Sequence, residues 1–200
     1  MSARIIGIAG GSASGKTTIA RRVAEDLGDR CVLVPHDAYY HPLPASYRGR
    51  EHAWNFDEPA SLDTALLIEH LRELRDGRPV AVPRYDFARH DRIGSYTLQP
   101  RPVVLVEGIL VLADAALRDH LDHRVFVHAD EPTRLGRRIR RDAAERGRDM
   151  DDVLGQYFTT VRPMHDLWVE PSRAWASVEI DGAGDVDLSV ATLLRLLSEP

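Results

Sequence analysis

The chain has 200 residues, 44% hydrophobic and 28% charged, the proportions of one soluble globular domain with a core of its own. A formal net charge of −5 argues against a general nucleic-acid binder, which ordinarily carries a basic surface, and leaves room only for a local positive site. Cys31 is the only cysteine, so no intramolecular disulfide forms, and the apolar stretches at 5–9 and 103–112 are too short to span a bilayer; the expectation is a cytoplasmic protein with neither nucleic acid nor membrane as partner.

Ile5–Ala9 reads as a buried strand, and Gly15–Leu27 as a helix with Ile19, Ala20, Val23, Ala24 and Leu27 at helical spacing. Cys31–Val34 is a second strand, which makes its thiol a core group rather than a reactive one. Asp57–Arg75 is expected to be helical, with Pro59 in its first turn, an apolar stripe from Leu62 to Leu74, and Gly77 and Pro79 as its stop. Val80–Tyr85 and Ser95–Leu98 look like strand pieces around a polar turn. Val103–Val106 is a continuous apolar run, as in a strand buried on both faces. Arg124–His128 follows as a strand, Pro132–Glu145 as a very basic helix, and Met150–Val161 as a helix of mixed faces. A short strand at Val178–Ile180 and an amphipathic helix at Val186–Leu197 close the chain. Strands alternating with helices predict an α/β fold built on a doubly wound parallel sheet, with the site at the carboxyl ends of the strands.

The run Gly10, Gly11, Ser12, Ala13, Ser14, Gly15, Lys16, Thr17 matches G-x-x-x-x-G-K-S/T between a strand and a helix. Glycines let the backbone curl so that successive N–H groups face phosphate oxygens, and the helix N-terminus adds its positive dipole end. Lys16 reaches the terminal phosphates, Thr17 can ligate Mg²⁺, and Thr18 completes the NTP-binding run. Lys16 is also the only lysine; all other basic side chains are arginine. A compact ammonium suits a phosphate cradle in a way a guanidinium does not. A Rossmann site is disfavoured because Ser12 stands where its second glycine belongs. A GTPase would need an Asn-Lys-x-Asp guanine reader, which a second lysine would have to supply, and no Leu-Ser-Gly-Gly run of a transporter ATPase occurs. Small-molecule kinases remain as the leading class.

Two carboxylates follow strands. Glu107 ends Val103–Val106, where P-loop proteins place the acid that assists the metal, and Gly108 beside it leaves room for close approach. Asp37 lies just past the second strand, where it can accept a proton from an attacking hydroxyl. Each also has a plain reading, a surface acid and a turn-forming acid.

Further motif segments are Asn55-Phe56-Asp57, the run from Pro83 to Arg92, Glu107-Gly108-Ile109-Leu110, Arg134 to Asp142, Glu145-Arg146-Gly147-Arg148 and Val161 to His165. These segments, in this order, resemble the motifs of the uridine–cytidine kinase family of P-loop kinases. The resemblance implies one P-loop kinase domain over residues 1–200, with a helical lid at about 131–149 and a small β-hairpin flap at about 79–100. It implies transfer of the γ-phosphoryl group from Mg²⁺ with ATP or GTP to the 5′-hydroxyl of uridine or cytidine. Asp37 matches the general base and Tyr40 the aromatic just beyond it. Asp57 matches the acid that binds the ribose hydroxyls. Phe56 and Phe87 match the aromatics around the base, and Tyr85 and His90 its reading groups. Glu107 and Thr17 match the metal side. Arg138 matches a ribose or phosphate contact, Arg141 and Arg146 phosphate contacts, Arg148 a nucleoside contact and Gln156 a glutamine near the ligand. Relatives are often tetramers, so a homo-oligomer fits the resemblance.

The basic helix also has a reading of its own. Arg134, Arg138 and Arg141 share a helix face closely enough to repel one another unless anions are present, which in an acidic protein suggests a polyphosphate lid. Two departures from the family pattern are Ala38, where many relatives have Ser or Asp, and Trp175-Ala176-Ser177, where Tyr-Ala-Asp is usual. A pantothenate kinase or phosphoribulokinase relative would lack Tyr85 and His90 beside Phe56 and Asp57. A non-catalytic NTP-binding module would have no use for Asp37.

Overall fold

The computed structural model describes residues 3–198, apart from the side chains at positions 52, 145 and 146. Five apolar segments form a parallel sheet: β1 (Arg4–Ala9), β2 (Cys31–Pro35), β5 (Val103–Glu107), β6 (His123–His128) and β7 (Val178–Asp181), in the spatial order β2-β5-β1-β6-β7. Alternation along the strands sends side chains to two separate cores. Ile5, Val104, Val106 and Phe126 face one, against Leu67, Leu71 and Leu74 of α2 (Thr64–Arg75). Ile6, Ile8, Leu105, Val125 and Val127 face the other, against Ile19 and Val23 of α1 (Lys16–Leu27) and Leu193 of α8 (Val186–Ser198). Each such fully buried side chain contributes about 1.5–3 kcal/mol relative to exposure, which is why the central strands are apolar at every position rather than at alternate ones.

β3 (Val80–Asp86) and β4 (Asp91–Leu98) form a separate antiparallel hairpin whose register shifts between Pro83 and Tyr85. Pro83 has no N–H to give to the ladder, so an irregularity at this point leaves no donor unmatched. The remaining helices are the short α3 (Ala115–Arg118) and the long α4 (Glu131–Arg146), then α5 (Met150–Gln156), α6 (Arg162–Met164) and α7 (Glu170–Ser172). Among the described residues no helix is long and apolar enough to cross a membrane.

Two elements differ from the sequence expectation. The helix expected from Asp57 begins at Thr64, where the Asp63 carboxylate accepts the Leu66 N–H at 3.1 Å as N-cap. Pro59 instead starts a separate 3-10 turn, Pro59–Ser61, closed by the Ser61 hydroxyl on the Phe56 and Glu58 carbonyls. The helix expected to end at Val161 continues to Trp175. A π turn at Tyr157–Val161 precedes Pro163, and a second at His165–Val169 precedes Pro171. The wider winding shifts the carbonyls with which a proline ring would collide in a regular helix, so these prolines do not break it.

Candidate active site

The loop between β1 and α1 has the curled backbone that its sequence requires. Gly10 and Gly15 have φ of 151° and 104°, and Ala13 also lies on the positive side at 62°. The Ser14 N–H donates to the Gly11 carbonyl at 3.1 Å, and the Lys16 ammonium reaches the same carbonyl at 3.4 Å. Ser12 and Ala13 are half-buried at the crest, Ser14 is fully buried, and Thr18 is exposed on the first turn of α1. Burial pushes the Lys16 ammonium below its usual range, opposed by the Glu107 and Asp37 carboxylates.

Glu107 is buried at the end of β5, and its Oε2 accepts the Thr17 hydroxyl at 3.0 Å. Burial raises its carboxyl, while Lys16 and Thr17 act the other way. A β-carbon on Gly108 would lie 2.6 Å from Cβ of His36, so only glycine lets the end of β5 sit against the turn that carries Asp37. That 3-10 turn, His36–Tyr39, is pinned by the buried Tyr39 hydroxyl on His70 Nδ1 at 2.9 Å, and by Arg92 on the Tyr39 and Tyr40 carbonyls, both at 2.9 Å. Among the described residues no group of three or more His, Cys, Asp or Glu could hold a metal by itself. The oxygens of Thr17 and Glu107 do fit Mg²⁺, a hard cation that takes few protein ligands and fills its shell with water and phosphate oxygens.

The residues that the motifs match to a nucleoside come together from three segments. Tyr40 is their hub, with ring centroids 5.9 Å from Phe56, 5.3 Å from Tyr85 and 6.4 Å from Phe87. His90 stands at the tip of the hairpin with φ of 50° and stacks on Phe56 at 4.7 Å. The Tyr85 hydroxyl is buried with no hydrogen-bond partner, and burial pushes it up to about 12. Asp57 lies on the loop before α2 and is buried. Burial raises its carboxyl, Arg138 lowers it and Asp37 raises it further.

Arg134, Arg138 and Arg141 of α4 lie close to this site. Arg138 donates to Ser12 Oγ at 2.9 Å and to Gln156 Oε1 at 2.9 Å, and Arg148 donates to the same oxygen at 2.6 Å. Arg141 is close enough to oppose the charge of Lys16. The Arg146 side chain lies outside the described residues. The arginine face does not rely on a phosphate for its counter-charge. Asp142, wholly buried in the same helix, is ion-paired with Arg138, Arg141 and Arg148.

Several groups at the site carried no individual role in the sequence reading. Thr160, in the first π turn, donates toward Asp57 Oδ2 at 3.4 Å. Arg134 and His165 pack over Gly11 from behind the loop, where a β-carbon would meet them at 2.8 and 3.0 Å. Arg137 donates to the Gly182 carbonyl at 2.7 Å, and Gly182 lies so close to the Ser14 carbonyl that a β-carbon there would overlap it. Thr160 and Gly182 needed the tertiary structure. The other three, Arg134, Arg137 and His165, lay inside the motif segments, and their packing against the loop and Gly182 is what the sequence could not supply.

Comparison with known proteins places the arrangement. Residues 5–189 match the model of the phosphoribulokinase/uridine kinase family. The chain belongs to this family. It is 45% identical over 199 residues to a uridine kinase of Chloroflexus aggregans, covering 94% of this chain and 93% of the relative. It is 41% identical over 193 residues to uridine kinase-like protein 5 of Arabidopsis thaliana, covering 96% of this chain but only 42% of that longer protein. Phosphoribulokinase of Rhodobacter spheroides superposes with a TM-score of 0.65 at 14% identity, covering 92% of this chain and 73% of that one, a likeness of fold alone.

Proposed function

We infer that this family member transfers the γ-phosphoryl group of an NTP to the 5′-hydroxyl of uridine or cytidine, giving UMP or CMP. The observation that carries the reading is the continuity of the site. Asp57 lies near enough to Asp37 for the two charges to oppose each other, Asp37 lies near enough to Lys16 of the P-loop to favour its ammonium, and Tyr40, three residues past Asp37, gathers the rings of Phe56, Tyr85 and Phe87. The near-complete match to a uridine kinase supports the same substrate class.

The assignment of roles follows from chemistry. Asp57 can accept two hydrogen bonds from vicinal ribose hydroxyls. Phe56 and Phe87 offer faces to a planar base, and Tyr85 and His90 offer polar atoms to its edge; the buried, unpartnered Tyr85 hydroxyl is such an atom. Asp37 takes the proton of the 5′-hydroxyl as that oxygen bonds to the γ-phosphorus and the bond to the bridging oxygen breaks. Lys16 and the loop N–H groups hold the transferring and leaving phosphates, with Arg138, Arg141 and Arg148 as further cationic donors; Arg146 is assigned to the phosphates by its motif alone. Thr17 and Glu107 would hold Mg²⁺, whose chemistry is to neutralise charge on the phosphate oxygens. In this scheme α4 and the turn after it serve as a lid, and the β3–β4 hairpin as a flap over the nucleoside. ATP and GTP both fit as donors.

The test is NTP-dependent phosphorylation of a panel: uridine, cytidine, 2′-deoxycytidine, adenosine and pantothenate, each with ATP and with GTP. Turnover of pantothenate without turnover of either pyrimidine ribonucleoside would overturn the reading.

A further inference from the structure

Asp142 is the one carboxylate wholly buried among the lid arginines described. Its Oδ1 lies 2.8 Å from Nη2 of Arg141 and accepts Nε of the same residue at 2.9 Å. Its Oδ2 lies 3.8 Å from Nε of Arg138 and 3.6 Å from Nη1 of Arg148. Its backbone carbonyl receives the N–H of Gly147, the C-cap of α4, and that of Arg148 at 3.1 Å. One residue therefore fixes the end of the helix, the turn beyond it and the Arg141 guanidinium, and it pairs its charge with Arg138 and Arg148 at distances longer than a hydrogen bond. Arg138 continues the chain of contacts to Ser12 of the P-loop, and Gln156 ties Arg138 to Arg148.

The chemistry of this position differs from that of an ordinary ion pair. A buried carboxylate is costly unless several donors satisfy it, and the guanidinium groups would repel one another without it. It also carries the same sign as the polyphosphate that these arginines would contact. We propose that Asp142 is a positioning residue for phosphoryl transfer, an internal carboxylate that holds Arg138, Arg141 and Arg148 in transfer geometry and competes with the bound polyphosphate for them. This rests on the phosphoryl-transfer reading above and adds a consequence of its own: removing the charge separates phosphate affinity from turnover. Without the carboxylate the arginines attract phosphate more strongly but are no longer aimed.

The experiment compares wild type with Asp142→Asn and Asp142→Glu, measuring binding of inorganic tripolyphosphate by calorimetry and kcat with uridine and ATP. Asp142→Asn is expected to bind tripolyphosphate tighter, by about threefold or more, because a like charge has left the site. Its kcat should fall about tenfold or more, because aimed donors act only in the right geometry. Asp142→Glu keeps the charge and moves it by one methylene, so tripolyphosphate affinity should stay within about twofold of wild type while kcat falls. Affinity and kcat falling together in Asp142→Asn would reduce Asp142 to a scaffold residue and overturn the proposal. If Asp142→Asn does not fold, wild-type kcat in Asp142→Glu overturns it just as directly. A wild-type chain that binds tripolyphosphate yet phosphorylates neither pyrimidine nucleoside sinks the substrate reading alone and leaves the affinity arm to decide on Asp142.

Discussion

Gly108→Ala should reduce turnover while leaving the fold in place. A β-carbon at 108 would stand 2.6 Å from Cβ of His36, whereas ordinary contact begins at 3.4 Å, so one side must retreat by about 0.8 Å. The φ of Gly108 is not in the left-handed region, so space alone is at issue. Neither side can yield harmlessly. Gly108 follows Glu107, and its N–H is fixed on the Ile8 carbonyl at 3.1 Å. His36 is 1% exposed, precedes Asp37, and sits in a turn held by Tyr39 and Arg92. Whichever side moves, the Asp37–Glu107 spacing changes by most of an ångström. A misplacement of about 1 Å can cost roughly 10²-fold in rate, so kcat is expected to fall by tens-fold or about a hundredfold. The overpacking should cost about 1–3 kcal/mol of stability, and for a chain of this size Tm falls roughly 2–4 °C per kcal/mol. Steady-state kinetics with saturating uridine and ATP, read beside thermal unfolding, checks both. The control is Gly184→Ala, whose β-carbon meets nothing nearer than a side-chain oxygen of Asp181 at 3.3 Å. Wild-type kcat in Gly108→Ala would refute the claim that the two carboxylates are rigidly spaced through this contact.

Asp37→Asn should lower kcat by about 10²–10⁴-fold with little change in nucleoside binding; a change confined to KM would remove Asp37 from the base role. His90→Ala should shift the uridine-to-cytidine ratio of kcat/KM, because His90 is proposed to meet the base edge, and an unchanged ratio would exclude it as a reader. Asp57→Ala should weaken both ribonucleosides about tenfold or more and abolish the preference for ribose over deoxyribose, since a hydrogen bond to a charged group contributes roughly 1.5–3 kcal/mol. Asp57→Asn should be more stable than wild type at pH 7. Burial raises the Asp57 carboxyl above its ordinary value of 3.8, so its contribution to stability is full below that value and is lost as pH rises through the raised one. The gap in Tm should therefore close as the solution is acidified toward pH 4, and a gap that widened would reverse the sign of the burial effect.

How far the sequence alone reached depended on the range of the interactions. The strands and the P-loop were legible because their cause is local. Runs such as Val103–Val106 can be buried on both faces only within a parallel sheet, and the spacing from Gly10 to Thr17 has few uses apart from phosphate. The room that Gly108 provides was legible too, since a glycine directly after a strand-end carboxylate has a close-approach reading. Tertiary structure decided what depends on side chains distant in the chain. Asp63 competes with Asp57 for the start of α2 and wins because its carboxylate caps Leu66 and also meets Arg92. The helix crosses Pro163 and Pro171 because π turns precede them, a change of winding that periodicity does not encode. Asp142 was visible as a letter in an arginine-rich run, and charge counting treated the run as short of anions. Only burial, which measures the cost of leaving that carboxylate unpaired, shows that this arginine-rich run carries its own counter-ion.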